Sequence, residues 1–227
     1  MNKLSKRLET VASFIDEKDK SVIDIGCDHG LLSIFLAEKY QNLNIIASDV
    51  NDNALESARR NVSKYKLEDR IDIRLGSGLS VIKESDHIDT IVIAGMGANT
   101  IIGFLKYYQD KLKNIKKIII QSNTDLYFLR KNMTSIGYYI ADEKLVLDKD
   151  KIYTVVMFKQ GKKKYNYREL YLGPILISSS SQLFKEKCQK DLIVNEMILN
   201  NIKSGHFLYR QKLKKNIKIL KDITKTN

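Results

Sequence analysis

The stretch 22-VIDIGCDHGLLSIFLA-37 decides the fold of this chain. A short apolar run carrying Asp24 ends at Gly26, and a second glycine, Gly30, stands directly before an apolar segment with helical spacing. A strand, a glycine-containing turn and a helix form the first unit of an open α/β sheet, in which ligands bind at the carboxyl ends of the strands. The turn between the two glycines is therefore the first candidate for a binding site.

The alternation of short apolar runs and helical segments continues along the chain. Strands that are apolar on both faces, with helices between them, predict a mostly parallel sheet covered by helices. The five predicted parallel strands span 21–25, 44–48, 70–75, 90–94 and 116–121, and the helices between them lie near 30–39, 51–65, 99–112 and 124–135. A first amphipathic helix is predicted from the apolar positions Leu4, Leu8, Val11, Ala12 and Ile15.

Two further strands are predicted at 138–147 and 152–159. The segment between them, 148–151, is too short for a crossover helix, so the two strands must form an antiparallel hairpin. The expected fold is a Rossmann-like α/β sheet of seven strands, mostly parallel, with a terminal antiparallel hairpin. This arrangement resembles class I methyltransferases, whereas a dinucleotide dehydrogenase would have a sixth parallel strand.

The composition changes at Gly161, which divides the chain into a predicted catalytic domain, 1–160, and a basic extension, 161–227. In the extension, the serine run 178–181 offers a helix N-cap, and apolar residues keep helical spacing on both sides of Gly205. We expect two antiparallel helices that pair as a coiled-coil-like hairpin.

The formal net charge of +12 lies almost entirely in the last third of the chain. Residues 1–158 contain 23 Lys and Arg against 22 Asp and Glu, whereas residues 159–227 contain 16 against 5. One-sided basicity predicts a polyanionic partner, because each neutralised phosphate releases a counterion. A solvated, lysine-rich helical face is the alternative. The basic residues expected to contact the partner include Lys162, Lys163, Lys164, Arg168, Lys212 and Lys215.

Several classes of protein are disfavoured by composition. No stretch approaches the roughly 20 apolar residues of a membrane span, and the N-terminal residues have no signal-peptide core. Cys27 and Cys188 are too few for a disulfide framework or a four-cysteine metal site. We expect a cytoplasmic protein without a membrane contact.

The turn after the first strand is expected to bind a cation and not a phosphate. Its spacing, Gly26-Cys-Asp-His-Gly30, departs from G-x-G-x-x-G, and Asp28 would point an anion at a pyrophosphate. S-adenosylmethionine fits better, because its ammonium, sulfonium and ribose hydroxyls tolerate or attract carboxylates. His29 beside Asp28 could also suggest a metal site, but the chain has no HxxxH or CxxC pattern. Cys27 is expected to supply a backbone amide and a small buried side chain, and not a nucleophile.

Further candidate residues follow the other strands. Asp49 ends the second strand, 19 residues beyond Gly30, and is expected to accept the ribose hydroxyls or to cap the next helix. Ser77 and Gly78 end the third strand, where the adenine would rest. The fourth strand ends in 93-IAGMG-97, whose glycines leave room for a flat base or serve packing alone. The fifth ends in 118-IIIQSN-123, whose two amides suit a nucleobase edge, with a helix N-cap as the alternative.

Together these motifs resemble those of bacterial tRNA adenine-N1 methyltransferases that modify adenosine 22 of the D-arm. The resemblance covers residues 1 to about 176 and rests on LSKRL, DIGCDHG, ASDV, RLGSGL, IAGMG, IIIQSN, KIYTVV and LGP in this order. It implies S-adenosylmethionine as methyl donor and tRNA, bound at its D-arm and elbow, as substrate. The chain departs from the family pattern at Asp49, Ser77, Ala98 and Ser122. Asp49 preserves the ribose chemistry and Ser77 can still hydrogen-bond, whereas Ala98 and Ser122 leave target specificity open.

The predicted active site combines the motifs with this resemblance. Asp28 is expected to stabilise the positive charge that develops on the adenine, His29 to orient it, and Asn123 to act on the substrate side. No metal is expected. The predicted cofactor contacts are Asp24, Gly26, Cys27, Asp28, Gly30, Asp49, Val50, Ser77, Gly78, Ala94, Gly95, Met96 and Gly97.

Three other functions share part of this pattern. A class I methyltransferase acting on another RNA position or on a small molecule would have the same cofactor residues. An inactive RNA-binding protein of the same fold would bind RNA without the cofactor, and a dehydrogenase is disfavoured by Asp28 and the hairpin. No obligate protein partner is evident, and we expect a monomer or a weak dimer.

Overall fold

A computed structural model describes residues 4–203 and 205–225. The chain divides into two compact units, Met1–Asn166 and Tyr167–Asn227. The division therefore falls after Asn166 and not after residue 160, and the lysines at 162–164 belong to the first unit. The reason is local: the Tyr165 hydroxyl accepts a hydrogen bond from the Ile140 backbone N–H (2.9 Å), which ties this segment to the sheet.

The first unit contains a seven-stranded sheet in the order β3-β2-β1-β4-β5-β7-β6. The strands β1 to β5 are parallel, and β7 runs antiparallel to both of its neighbours, β5 and β6. The predicted fold class is confirmed, with strand bounds within two residues of those predicted. The strands are β1 Ser21–Ile25, β2 Asn44–Asp49, β3 Ile71–Leu75, β4 Thr90–Met96, β5 Lys117–Ser122, β6 Tyr138–Asp148 and β7 Lys151–Gln160.

Five helices pack on this sheet among the described residues. They are α1 Lys6–Ala12, α2 Leu31–Lys39, α3 Asp52–Lys64, α4 Ala98–Tyr107 and α5 Leu126–Ser135. The first helix ends at Ala12, three residues before the predicted Ile15, because the chain turns at Ser13. Ile15 is nevertheless buried in the core, so its apolar character reflects packing of the turn after the helix.

The centre of the sheet is buried on both faces, as its short apolar runs predict. Every residue of β1 and β5 is buried, and Val22, Ile91 and Ile119 have no exposed surface. Burial of this kind stabilises a fold by roughly 25 cal/mol per Å² of apolar surface. The rigid central strands hold their carboxyl ends, and the residues that follow them, in fixed positions.

The second unit is helical throughout most of its described residues. It contains α6 Tyr167–Leu172, α7 Pro174–Ser179, α8 Gln182–Asn201 and α9 Phe207–Thr224. The Ser181 hydroxyl caps α8 by accepting from the Phe184 N–H (3.2 Å). The two long helices are antiparallel: Arg210 donates to the Ile202 carbonyl (2.8 Å), and Lys221 pairs with Glu196 (2.8 Å). The short helices α6 and α7 were not predicted, because six residues are too few to show a period.

None of the described helices combines the length and the apolar character that a membrane crossing requires.

Candidate active site

A cavity of about 540 Å³ opens at the carboxyl ends of β1, β2 and β4, where the strand order reverses. Its volume lies in the range of small-molecule sites. The predicted residues that line it are Asp24, Gly26, Cys27, Asp28, His29, Asp49, Val50, Gly78, Ala94, Gly95, Met96 and Asn123. The remaining walls come from Arg7, Leu8, Ile25, Leu31, Leu32, Asn51, Ala54, Gly76, Lys151 and Tyr153.

Three predicted cofactor residues do not line the cavity. Gly30 is the N-cap residue of α2 and lies in the left-handed region with φ +70°. A Cβ at this position would lie 3.2 Å from the Ala58 Cβ, so the glycine allows α2 and α3 to pack closely. Gly97 caps α4. Ser77 is exposed, and its backbone N–H donates to the Ser80 hydroxyl (3.1 Å), which closes the turn after β3. The glycines on either side of Ser77 line the cavity instead.

Asp24 is the buried carboxylate of the site. It is only 3% exposed, and the Ser33 hydroxyl donates to its Oδ2 (2.9 Å). Burial raises the pKa of Asp24 to about 6; the hydrogen bond from Ser33 opposes this shift, and the nearby Asp49 carboxylate adds to it. An organic cation in the cavity would favour the ionised form of this carboxylate.

Asp49 is held in a fixed orientation at the tip of β2. Its Oδ2 accepts from the Asp28 backbone N–H (3.1 Å), and its Oδ1 accepts from the Asn51 backbone N–H (3.0 Å). Each carboxylate oxygen has a second lone pair that can accept a ligand hydroxyl. Val50, beside it, is 67% exposed and offers an apolar surface at the cavity wall.

Cys27 is a packing residue. Its thiol is buried, and burial raises its pKa far above the usual range, which disfavours a thiolate nucleophile at neutral pH. Its backbone N–H donates to the Ser48 carbonyl (3.0 Å), as does that of Gly26 (2.7 Å). The prediction that Cys27 supplies a backbone amide to a ligand is therefore wrong, because the amide already closes the contact between β1 and β2.

Asp28 and His29 lie together at the rim of the cavity. Asp28 adopts the left-handed conformation (φ +51°), which costs a non-glycine residue of the order of 1–3 kcal/mol and often marks a functional position. Its carboxylate lies 3.6 Å from the His29 Nε2, and both side chains are more than half exposed. The His29 Nδ1 is within hydrogen-bonding distance of the Ser57 hydroxyl (2.8 Å), which holds the ring.

The tip of β4 is a bulge at Gly95. The register with β5 shifts between Ala94 and Met96, and Gly95 takes φ +85°, which favours glycine. Two amide side chains provide hydrogen-bond partners for the backbone of the bulge. The Gly95 N–H donates to Gln121 Oε1 (3.1 Å), and the Gly95 carbonyl accepts from Asn123 Nδ2 (2.7 Å). The structure thus places the predicted Asn123 against the floor of the cavity.

Only one of the two predicted amides is available to a base. Gln121 is fully buried, and its Nε2 donates to Asn123 Oδ1 (3.0 Å), so the prediction that its amide binds a nucleobase is wrong. Asn123 is exposed. An Asn amide has two N–H donors and two lone pairs, and the described contacts of Asn123 use one of each.

The sequence-based prediction of the site did not include the cavity wall formed by α1 and β7. The Arg7 guanidinium donates to Gln121 Oε1 (2.6 Å) and lies 5.6 Å from the centroid of the Tyr153 ring. The Lys151 ammonium lies 5.1 Å from the same ring. The motifs LSKRL and KIYTVV contain these residues, so a signal was present, but its place in the cavity depends on long-range packing.

Comparison with known proteins identifies the family of this chain. The model of the tRNA (adenine(22)-N(1))-methyltransferase family matches residues 22–226. The chain belongs to this family. The sequence-based prediction of a tRNA (adenine-N1)-methyltransferase that uses S-adenosylmethionine is thereby confirmed at the level of the family, and the dehydrogenase alternative is excluded.

Relatives of the family resemble this chain over nearly its whole length. The tRNA (adenine(22)-N(1))-methyltransferase of Bacillus subtilis (strain 168) is 32% identical over 206 residues, which cover 88% of this chain and 86% of the relative. Streptococcus pneumoniae Sp1610, solved in complex with S-adenosyl-L-methionine, is 31% identical with a TM-score of 0.89 and covers 98% and 100% of the two chains. M. capricolum TrmK, solved with S-adenosyl-homocysteine, is 27% identical with a TM-score of 0.85 and covers 98% and 99%.

The residues of this cavity fit the cofactor of the family. Three carboxylates, from Asp24, Asp28 and Asp49, meet around a space without the phosphate-binding pattern of a dinucleotide site. Gly26 has no Cβ beside the cavity; one placed there would lie 2.3 Å from the Met96 Cε. Among residues 4–203 and 205–225, no group of three or more His, Cys, Asp or Glu side chains could hold a metal ion.

The predicted tRNA-contacting residues lie outside the cavity. Lys162, Lys163 and Lys164 are exposed on the first unit. Arg168 on α6 and Lys212 and Lys215 on α9 are exposed on the second unit, where the Lys215 ammonium lies 3.8 Å from the Tyr167 ring centroid. The structure thus distributes the predicted basic residues over both units.

Proposed function

We propose that this chain methylates N1 of adenosine 22 in the D-arm of tRNA, with S-adenosylmethionine held at the tips of β1 and β2. The observation that carries this proposal is the convergence of Asp24, Asp28 and Asp49 on one cavity whose floor is the glycine bulge of β4. Three carboxylates suit a cationic adenosyl donor and repel a phosphate. The open floor admits a flat base beside it.

Each carboxylate has a distinct proposed role. Asp24, buried and carrying a raised pKa, would pair with the cofactor ammonium, and Asp49 would accept the two ribose hydroxyls. The exposed Val50 and the turn at Gly78 would flank the adenine of the cofactor. The bound cofactor supplies an electrophilic methyl group on its sulfonium.

The residues of this chain act mainly by positioning and by charge. Adenine N1 has an in-plane lone pair, so the acceptor needs no prior deprotonation and the protein needs no strong general base. Alignment of the reactants can contribute roughly 7–11 kcal/mol to such a transfer. Asp28 would stabilise the positive charge that develops on the adenine ring, His29 would orient that carboxylate, and Asn123 would bind the base through its remaining N–H and lone pair.

Recognition of the tRNA requires the target base to leave the D-arm stack. Extrusion of a base costs a few kcal/mol, which phosphate contacts elsewhere can offset. Exposed lysines of the segment 162–164 and of α9 would contact the D-arm and the elbow by shape and charge. We propose that the protein acts as a monomer or a weak dimer.

The proposal is tested with a labelled methyl donor, unmodified tRNA transcripts and a transcript in which adenosine 22 is replaced. Wild-type protein should label the first transcript at N1 of adenosine 22 and leave the second unlabelled. Label on both transcripts would favour a methyltransferase acting on another position. Absence of label together with retained RNA binding would indicate the inactive RNA-binding alternative.

The role of Asp28 is tested by Asp28→Asn in the same assay. We expect kcat to fall roughly 10- to 1000-fold, as when one electrostatic stabiliser is removed from an active site, with cofactor Kd changed only a few-fold. Asp52→Asn is the matched control, because Asp52 is an exposed aspartate at the start of α3 that does not line the cavity. Full turnover of Asp28→Asn would disprove the electrostatic role.

A further inference from the structure

The cavity has two walls of opposite chemical character. The carboxylates of Asp24, Asp28 and Asp49 belong to the tips of β1 and β2, whereas Arg7, Lys151 and Tyr153 come from α1 and β7. In the sheet order, β2 lies two strands from β4 on one side and β7 lies two strands from β4 on the other. The ammonium and sulfonium of the cofactor are attracted to the first wall, whereas the second wall attracts anionic groups.

The second wall is organised around the Tyr153 ring. Arg7 and Lys151 place their cationic groups 5.6 Å and 5.1 Å from its centroid. Arg7 is fixed at two points, because its backbone N–H donates to the Asp148 carboxylate (3.1 Å) and its guanidinium donates to the buried Gln121 (2.6 Å). These two contacts hold Arg7 in place within the wall.

A hydrogen-bond chain joins this wall to the floor of the cavity. Gln121 accepts from Arg7 and from the Gly95 N–H, and it donates to Asn123, which in turn donates to the Gly95 carbonyl. The position of Arg7 is thus coupled to the bulge and to the amide that faces the base. Through these hydrogen bonds Arg7 can position the Asn123 amide that faces the cavity.

An aromatic ring beside two cations has the chemistry that recognises a nucleotide. A base stacks on an aromatic side chain with roughly 1–3 kcal/mol, and an ammonium neutralises a phosphate. The cofactor carries no phosphate, whereas an extruded nucleotide brings its own phosphates to the mouth of the cavity. The ring together with two cations therefore matches the acceptor nucleotide, which offers both a flat base and phosphates.

We propose that Arg7, Lys151 and Tyr153 form the receiving site for the extruded target nucleotide, with the Tyr153 ring stacking on the base and Lys151 pairing with a flanking phosphate. Arg7 is a positioning residue that orients Tyr153 and the Gln121–Asn123 pair. This inference rests on the proposed function and names the residues that bind its substrate.

The stacking role is tested with Tyr153→Leu and Tyr153→Phe. Leu keeps apolar bulk without a π-face, whereas Phe keeps the ring. We expect kcat/KM for tRNA to fall roughly 5- to 150-fold in Tyr153→Leu, the equivalent of 1–3 kcal/mol, and to stay within about two-fold of wild type in Tyr153→Phe. Cofactor Kd should be unchanged in both. Tyr107→Leu is the matched control, because Tyr107 is a 79% exposed tyrosine on α4 outside the cavity.

Three results would overturn the stacking role. They are equal kcat/KM in Tyr153→Leu and Tyr107→Leu, an equal loss in the Phe and Leu variants, and a loss of cofactor binding that parallels the loss of turnover. The last result would indicate that Tyr153 only maintains the fold of the cavity.

The phosphate role is tested by Lys151→Gln through the salt dependence of tRNA binding. Loss of one phosphate contact should reduce the slope of log Kd against log salt by about 0.7–0.9. Lys18→Gln is the control. Lys18 is exposed and precedes β1, at the amino ends of the strands, whereas the cavity lies at their carboxyl ends. An unchanged slope in Lys151→Gln, or an equal change in Lys18→Gln, would refute the role. This measurement also decides the proposal if Tyr153→Leu does not fold.

Failure of this proposal is distinguishable from failure of the proposed function. If wild-type protein methylates adenosine 22 and the Tyr153 and Lys151 variants behave as their controls, only the receiving site is wrong. If wild-type protein leaves adenosine 22 unmodified, the proposed function itself fails.

Discussion

Replacement of Asp24 by Asn is expected to stabilise the protein while it weakens the cofactor site. Asp24 is buried at the end of β1, and its burial raises its pKa to about 6 from the ordinary 3.8. When no ligand is bound, the ionised carboxylate of Asp24 therefore lowers the stability of the folded protein. Asn has nearly the same shape, still accepts from the Ser33 hydroxyl and carries no charge.

The size and the pH dependence of this effect follow from the pKa. At 1.36 kcal/mol for each pH unit, the difference between 3.8 and about 6 corresponds to roughly 3 kcal/mol. Between pH 4 and pH 6 the folded state holds a proton that the unfolded state has released, so the stability of wild type falls as pH rises through this window. Well below pH 3.8 both states are protonated and this cost disappears.

The assay is urea unfolding of Asp24→Asn and wild type at pH 4 and pH 7.5, followed by circular dichroism. The advantage of the variant in free energy of unfolding should grow by about 2–3 kcal/mol from the lower to the higher pH, while calorimetry at pH 7.5 shows weaker cofactor binding. Ser33→Ala is the companion variant: it removes the hydrogen bond that opposes the shift and should destabilise the protein at pH 7.5. A difference between Asp24→Asn and wild type that does not change with pH would refute this account.

Three other perturbations have defined outcomes. Asp49→Asn removes an anionic acceptor, and calorimetry should show cofactor affinity lowered about 10- to 150-fold, the equivalent of the 1.5–3 kcal/mol of a charged hydrogen bond, with tRNA affinity unchanged. Arg130→Met removes the cation that pairs with the buried Glu143 carboxylate at 2.8 Å, and should lower the free energy of unfolding by about 3–5 kcal/mol; the double variant with Glu143→Leu should recover most of this loss. Lys212→Gln combined with Lys215→Gln should reduce the slope of log Kd for tRNA against log salt by about 1.4–1.8, and an unaltered slope would contradict phosphate contacts from α9.

Most of the sheet could be predicted because its signal is local. Runs such as 91–94 and 118–120 are apolar at every position, and this pattern is typical of a short strand buried on both faces. The hairpin followed equally from a connection too short for a helix. The ends of elements were less certain: Ile15 looked helical because the core needs an apolar residue there, although the helix ends at Ala12.

The acidic half of the site was also visible in the sequence. Asp24, Asp28 and Asp49 each follow or end a strand, and the carboxyl ends of parallel strands meet at one edge of the sheet. The functions of single residues within these motifs were not visible. Gly30 proved to be a packing residue, and the Cys27 amide proved to be committed to Ser48, because each contact involves a residue from another element.

By itself the sequence determined the succession of strands and helices along the chain, the acidic character of the strand tips and the family. The tertiary structure decided which strand of the hairpin pairs with β5: it is β7, and this pairing brings Tyr153 to Arg7 across 146 residues of chain. It also decided that Asp24 is the buried carboxylate and Gln121 the buried amide. Strand pairing and depth of burial depend on how the whole sheet packs, and no local pattern specifies them.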